Sequence, residues 1–120
     1  MDPSAQDKPI DPQAVRTAQE NMLSKEAEDQ ARRILDSLCD PTRLKIIRAL
    51  RETPLAASDI ARVIKRSRAA TSQHLKVLRD VDAVVATRQG NIVRYALSTG
   101  VSAEILESIG DTFDKLEATA

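Results

Sequence analysis

The chain has 120 residues, enough for one small domain, and its 42% hydrophobic content supports a core with little to spare for a monomer. Its 18 basic and 18 acidic residues give a formal net charge of zero. There is no apolar run near ~18 residues and no signal-peptide pattern, so a transmembrane helix is excluded and a cytoplasmic protein is expected. The single cysteine, Cys39, excludes an intrachain disulfide. No Ser/His/Asp or Cys/His constellation, phosphate-cradling glycine loop or metal-spaced cluster is present, so the chain is read as a non-enzyme without cofactor. RNA and single-strand binding lean on aromatic stacking, and here only Tyr95 and Phe113 are aromatic.

The zero charge conceals segregation. Residues 1–40 carry nine acids and five bases (net −4), residues 41–100 four acids and twelve bases (+8), and residues 101–120 five acids and one base (−4). A basic middle between acidic ends directs the middle toward a polyanion and the ends toward a partner subunit or solvent.

In chain order, residues 1–10 hold two prolines and no periodicity and read as a flexible arm, followed by a single domain over 11–120. Asp11-Pro12 is a cap with a first-position proline, opening a helix with Ala14, Ala18 and Met22 on one face. Ser24 offers a second cap, but Ala27 stands where a capping box needs an acid or amide, which leaves that helix start open. A helical stripe through Ile34, Leu35 and Leu38 follows, closing an N-terminal helical region over 11–38. Asp40-Pro41 repeats the cap-and-proline signal, Leu44, Ile47 and Leu50 form the face of the third helix, and Thr53-Pro54 stops it.

The most informative stretch follows. Ala57 to Lys65 carries Ile60, Ala61 and Ile64 at helical spacing, and only Arg66 and Ser67 separate it from a helix over Ser67 to Leu78. That second helix has an inward edge of Thr71, Leu75 and Leu78 and an outward edge of Arg68, Ala69, Ser72, Gln73 and Lys76, with Ser67 as N-cap. From Ile60 through Arg79 there are six Lys or Arg and no acid, the arrangement a duplex phosphate backbone favours. Two short helices joined by a tight turn form a helix-turn-helix, whose second helix enters the major groove. Val84 to Thr87 and Ile92 to Leu97 are β-branched runs around Gln89-Gly90-Asn91, a hairpin signature flanked by Arg88 and Arg94. The fold class read from these elements, over 41–99, is mostly α with a small β-hairpin: a winged helix-turn-helix.

After the wing, Gly100 breaks the chain and Ser102 is expected to cap a last helix over 102–118. Its stripe is Ile105, Ile109, Phe113 and Leu116, with Leu106 beside it and Glu104, Glu107, Asp111 and Asp114 on the opposite, solvated face. The stripe either covers the core or packs against a second copy; the second is favoured, with Val15, Ala18 and Met22 of the N-terminal helices sharing the interface. Gly110 inside this helix suggests a bend or a close crossing.

Three segments, LCDPTRLKIIRA (Leu38 to Ala49), QHLKVL (Gln73 to Leu78) and RQGNIVRYAL (Arg88 to Leu97), resemble the ArsR family of bacterial winged-helix repressors in order and spacing, over roughly residues 30 to 100. The resemblance implies a homodimer that binds double-stranded operator DNA, a pseudo-palindrome, and releases it on a signal. The DNA-binding set then comprises Arg66, Ser67, Arg68, Ala69, Ser72, Gln73, His74, Lys76, Arg79, Arg88, Gln89, Asn91 and Arg94.

The family's metal-sensing branches place a Cys-x-Cys pair before the recognition helix, or Asp, His and Glu on the C-terminal helix. Here the first position reads Ala56, Ala57, Ser58, and the second has carboxylates without histidine, so no metal is expected and the effector is an unidentified small molecule or oxidant. His74 matches a position common in the family, where packing or phosphate contact is expected. Cys39, just before the cap Asp40, is the one candidate redox or effector atom: a thiolate there would feel the positive helix end, and the alternative is an inert core cysteine. A second function class also stands, a winged helix docking an acidic protein partner, but its face should expose aliphatic or aromatic anchors, and Val77 is the only one nearby.

Overall fold

The computed structural model describes residues 8–37 and 39–119. Most of the expected arm, and Leu38 of the second stripe, lie outside the described residues. These form six helices and a three-stranded antiparallel sheet, and the chain divides into two units, one up to Ala31 and one from Arg32 onward.

In the first unit, α1 spans Pro12–Glu20, and the Asp11 carboxylate accepts from the Ala14 backbone N–H at 3.0 Å. Pro12 loses nothing at the first position, where its missing N–H would have had no helical partner. Helix α1 buries no residue, and Asn21 closes it before Met22, which shortens the expected Ala14–Ala18–Met22 face. Helix α2 spans Lys25–Ser37, and Ser24 Oγ accepts from Ala27 N–H at 3.1 Å. One cap bond suffices there without a reciprocal acid.

In the second unit, the end of α2 buries Ile34 and Ser37 while Leu35 stays exposed, against the expected stripe. Helix α3, Pro41–Leu50, is capped by Asp40, whose carboxylate accepts from Thr42 N–H at 2.8 Å. Its core face is Thr42, Ile46, Ile47 and Leu50, with Leu44 only half-buried. The expected Leu44–Ile47–Leu50 face was one of two overlapping apolar stripes, and packing against later helices selects the other.

Strand β1, Leu55–Ala56, is an element the sequence reading lacked. It pairs with the middle strand, Leu55 opposite Tyr95 and Ala56 opposite Arg94. Helices α4 (Ala57–Ile64) and α5 (Arg68–Asp80) follow, then β2 (Val84–Gln89) and β3 (Ile92–Leu97), giving the strand order β1-β3-β2. Gly90 (φ 63°) takes the first central position of the two-residue β2–β3 turn, where a positive φ matches the twist of the strands. Helix α6, Val101–Thr119, begins one residue earlier than expected: Glu104 N–H bonds to Gly100 C=O at 3.2 Å, which places Ser102 inside the first turn and buried instead of at the cap.

The core joins Ile46 and Ile47 of α3, Ile60 of α4, Leu75 and Leu78 of α5 and Leu106 of α6, all essentially inaccessible to solvent. Truncating any of these to alanine would cost about 2–5 kcal/mol. Helix α6 is two-sided. Leu106, expected beside the stripe, is its core residue, while Ile105, Phe113 and Leu116 are 38%, 43% and 64% exposed and Ile109 is half-buried. Ile105, Ile109 and Phe113 edge a shallow apolar groove of about 480 Å³ with Val101.

Candidate nucleic-acid interface

The turn between α4 and α5 is only three residues long, Lys65 to Ser67, because Lys65 closes α4 in the left-handed region (φ 57°), its N–H bonding to Ala61 C=O. Arg66 N–H also returns to Ala61 C=O at 3.1 Å. Ser67 then caps α5: its hydroxyl oxygen accepts from Ala70 N–H at 3.1 Å, while its carbonyl accepts from the Thr71 hydroxyl at 2.8 Å. Thr71, Leu75 and Leu78 are buried as the spacing requires. The rotation of α5 is thereby fixed, and the opposite arc must face solvent.

That arc holds Arg68, Ala69, Ser72, Gln73, Lys76 and Arg79, every one exposed, with Asp80 in the last turn as its one acid. At about 100° per residue, Arg68, Ser72 and Arg79 stand on the edge toward the wing, Ala69 and Lys76 in the middle, and Gln73 on the far edge. The wing-side edge opens on a groove of about 590 Å³ that also takes in Asn91 and Arg94 of the hairpin and Ser58 and Asp59 of α4. Three arginines in one groove form a strongly positive channel, with Asp59 as the single acid on its wall.

In the wing, Arg94 Nη1 donates to Gln89 Oε1 at 3.1 Å, and Arg88 Nε donates to Gly90 C=O at 3.1 Å. The register sets Arg88 opposite Val93 and Thr87 opposite Arg94. Since strand side chains alternate, Arg88 shares a face with buried Val84, and Arg94 shares the other with Thr87 and Gln89. The two wing arginines thus reach out on opposite faces of the hairpin.

His74 departs from the rest of the expected set. Its side chain is 19% exposed and turned toward α3, where Nδ1 accepts from Arg43 Nε–H at 3.3 Å and Nε2 lies 3.8 Å from Asp40 Oδ2. Arg43 is a residue the sequence reading missed, although it stood within the quoted LCDPTRLK segment. Asp40 has its carboxyl held below the ordinary 3.8, first by the Thr42 backbone N–H and further by the Thr42 hydroxyl and the charge of Arg43. Cys39 is exposed, with its thiol donating to Leu35 C=O at 3.5 Å, so the inert-core reading does not apply.

The metal positions of the family do not fit a metal here. Ala56, Ala57 and Ser58 offer no thiolate, and on α6 the carboxylates of Asp111 and Asp114 are held by Arg51 and Arg48. Among the described residues no three His, Cys, Asp or Glu side chains converge, and no helix is long and apolar enough to cross a membrane.

An exposed, predominantly basic helix edge beside a basic hairpin is the arrangement of a winged helix-turn-helix DNA-binding regulator. Comparison with known proteins agrees: the model of the bacterial regulatory protein, arsR family, matches residues 40–84. The HTH-type transcriptional regulator NmtR of Mycobacterium tuberculosis is 35% identical over 85 residues, 71% of this chain and 71% of that protein. A transcriptional repressor SmtB homolog of Synechocystis is 30% identical over 97 residues, 81% of this chain and 74% of that one. The chain belongs to the ArsR family of bacterial transcriptional regulators. Among solved structures, the fold is similar to a homodimeric winged helix-turn-helix DNA-binding domain from Mycobacterium bovis (TM-score 0.69, 22% identity, 83% of this chain and 94% of that one).

Proposed function

We propose that this regulator acts as a cytoplasmic homodimeric repressor, each α5 entering one major groove of a pseudo-palindromic operator with half-sites about one helical turn apart. Arg68, Ser72 and Gln73 read base edges: Arg suits guanine and Gln suits adenine in bidentate geometry. Lys76, Arg88 and Arg94 hold phosphates and set the register. The observation that carries this reading is the outward arc of α5, where Arg68, Ala69, Ser72, Gln73, Lys76 and Arg79 are exposed, with Asp80 in the last turn as its one acid, while the inward three are buried.

The two copies meet through the outward face of α6, where Ile105, Ile109, Phe113 and Leu116 would otherwise stand in water, with Val15, Ala18 and Met22 contributing from the N-terminal helices. A structural neighbour named as a homodimer supports the two-copy state, and the exposed α6 stripe supports the choice of face. An unidentified small effector releases the DNA. The anchor on α5 that a protein-docking face would use, Val77, is half-buried, which weakens that alternative at the helix.

Selection of binding sites from a random duplex library at about 0.15 M salt tests the reading, because nonspecific phosphate attraction is partly screened there. An enriched inverted repeat is the expected result. A folded dimer that enriches nothing would overturn it.

A further inference from the structure

Two elements 31 positions apart meet at His74. Arginine can only donate, so the ring nitrogen that receives Arg43 Nε–H at 3.3 Å carries the lone pair, and the neutral imidazole has its proton on Nε2. That N–H lies 3.8 Å from Asp40 Oδ2, an electrostatic contact longer than a hydrogen bond, and the Asp40 carboxylate is itself fixed through Oδ1 by the Thr42 backbone N–H at 2.8 Å. The guanidinium's other arm donates to Ser37 C=O at the end of α2, at 3.3 Å. A chain of directional bonds therefore runs from α2 through the first turn of α3 into the middle of α5, and it ends one residue from Gln73.

The aliphatic contacts of Leu75 and Leu78 set which face of α5 meets the core, but being non-directional they do not select its fine height and rotation as sharply as a hydrogen bond does. Hydrogen bonds with one acceptable geometry select one arrangement. Bidentate base contacts need such placement, whereas long Lys and Arg side chains follow a phosphate through small shifts of the helix.

We propose that His74 is a positioning residue for DNA reading: the Arg43–His74 bond, oriented by Asp40, holds α5 at the height and rotation at which Ser72 and Gln73 meet base edges, and His74 itself does not touch DNA. The proposal rests on the DNA-reading role given above.

The test uses the full chain with the selected duplex and an unrelated duplex, by fluorescence anisotropy at several salt concentrations. His74→Leu keeps the bulk but loses the acceptor; affinity for the selected duplex should fall about tenfold, with the unrelated duplex and the salt slope unchanged. His74→Asn, whose Oδ1 can take the Arg43 proton, should restore most of the loss. Arg43→Met should match His74→Leu, and the double variant should lose no more than either single one. Full affinity in His74→Leu would reduce His74 to packing, and a parallel fall on both duplexes with a flatter salt slope would make it a phosphate contact. Either result overturns the proposal, as would additive losses in the double variant.

The imidazole 15N shifts of His74, without DNA, separate this proposal from the function it rests on. They should show a proton on Nε2 in the wild type and a loss of that bias in Arg43→Met. A mixed tautomer in the wild type would overturn the positioning bond itself, whereas the expected tautomer with no discrimination between duplexes would overturn the DNA-reading role.

Discussion

Arg48 of α3 and Asp114 of α6, 66 positions apart, meet at 2.6 Å, and Arg51 one turn further along α3 holds both Asp111 and Asp114. Two of the four carboxylates expected to stand free on the solvated face of α6 thus clasp the last helix to the third. Leu106 anchors α6 beneath this clasp, which leaves the face of Ile105 and Phe113 turned away from the core.

The clasp has a pH signature. Hydrogen bonding from Arg48, reinforced by the charges of Arg48 and Arg51, holds the Asp114 carboxyl below its ordinary 3.8, and the Thr42 backbone N–H does the same for Asp40. A carboxylate with a lowered folded pKa contributes stability that is present above the unfolded value and lost as pH falls through the folded one. Urea denaturation should therefore show Asp114→Asn and Asp40→Asn less stable than wild type at neutral pH. The gap should close as pH falls below the ordinary carboxylate range, where both carboxyls become protonated. A gap independent of pH would assign the loss to something other than charge.

Gly110 should tolerate a side chain. It is buried, yet a Cβ there meets only Arg51 Nη1 at 3.5 Å, an ordinary contact with the end of a flexible side chain. The close approach expected at this glycine is thus made by a guanidinium. Gly110→Ala should raise stability by up to about 1 kcal/mol through helix propensity, read as a higher thermal midpoint. A lower midpoint would mean that the methyl displaces the Arg51 clasp.

The two sides of α6 separate stability from assembly. Ile105→Glu should leave the fold intact but shift sedimentation toward monomer and weaken operator binding in step. Leu106→Ala should instead destabilise each chain by about 2–5 kcal/mol. A dimer that survives Ile105→Glu would move the interface off this face.

On the reading helix, Gln73→Ala should weaken the preferred duplex by about 1–3 kcal/mol and spare random DNA. Lys76→Ala should lower both affinities and reduce the salt slope by about 1. Equal loss on both duplexes for Gln73→Ala would remove its reading role.

Features carried by local chemistry were legible before any fold was known. Ser67 and Asp40 cap through their own following backbone, Gly90 turns the hairpin, and Thr71, Leu75 and Leu78 report a helix face by spacing alone. What escaped depends on distant partners. Strand β1 exists only because Tyr95 and Arg94 pair with it, and Arg43, Arg48 and Arg51 show their purpose only when His74, Asp114 and Asp111 arrive. Where two apolar stripes overlap, as at Leu44 and Ile46 or at Ile105 and Leu106, the neighbour that packs first decides, and periodicity is silent on it.

The opposite facing of Arg88 and Arg94 has a consequence for the hairpin's dimensions. A blade with a cation on each side can engage both walls of whatever groove receives it. Strand residues alternate, however, so one residue added to either strand would bring both arginines to the same side, whereas a pair would restore them. The wing can therefore lengthen or shorten only in steps of two if it is to keep an arginine on each side.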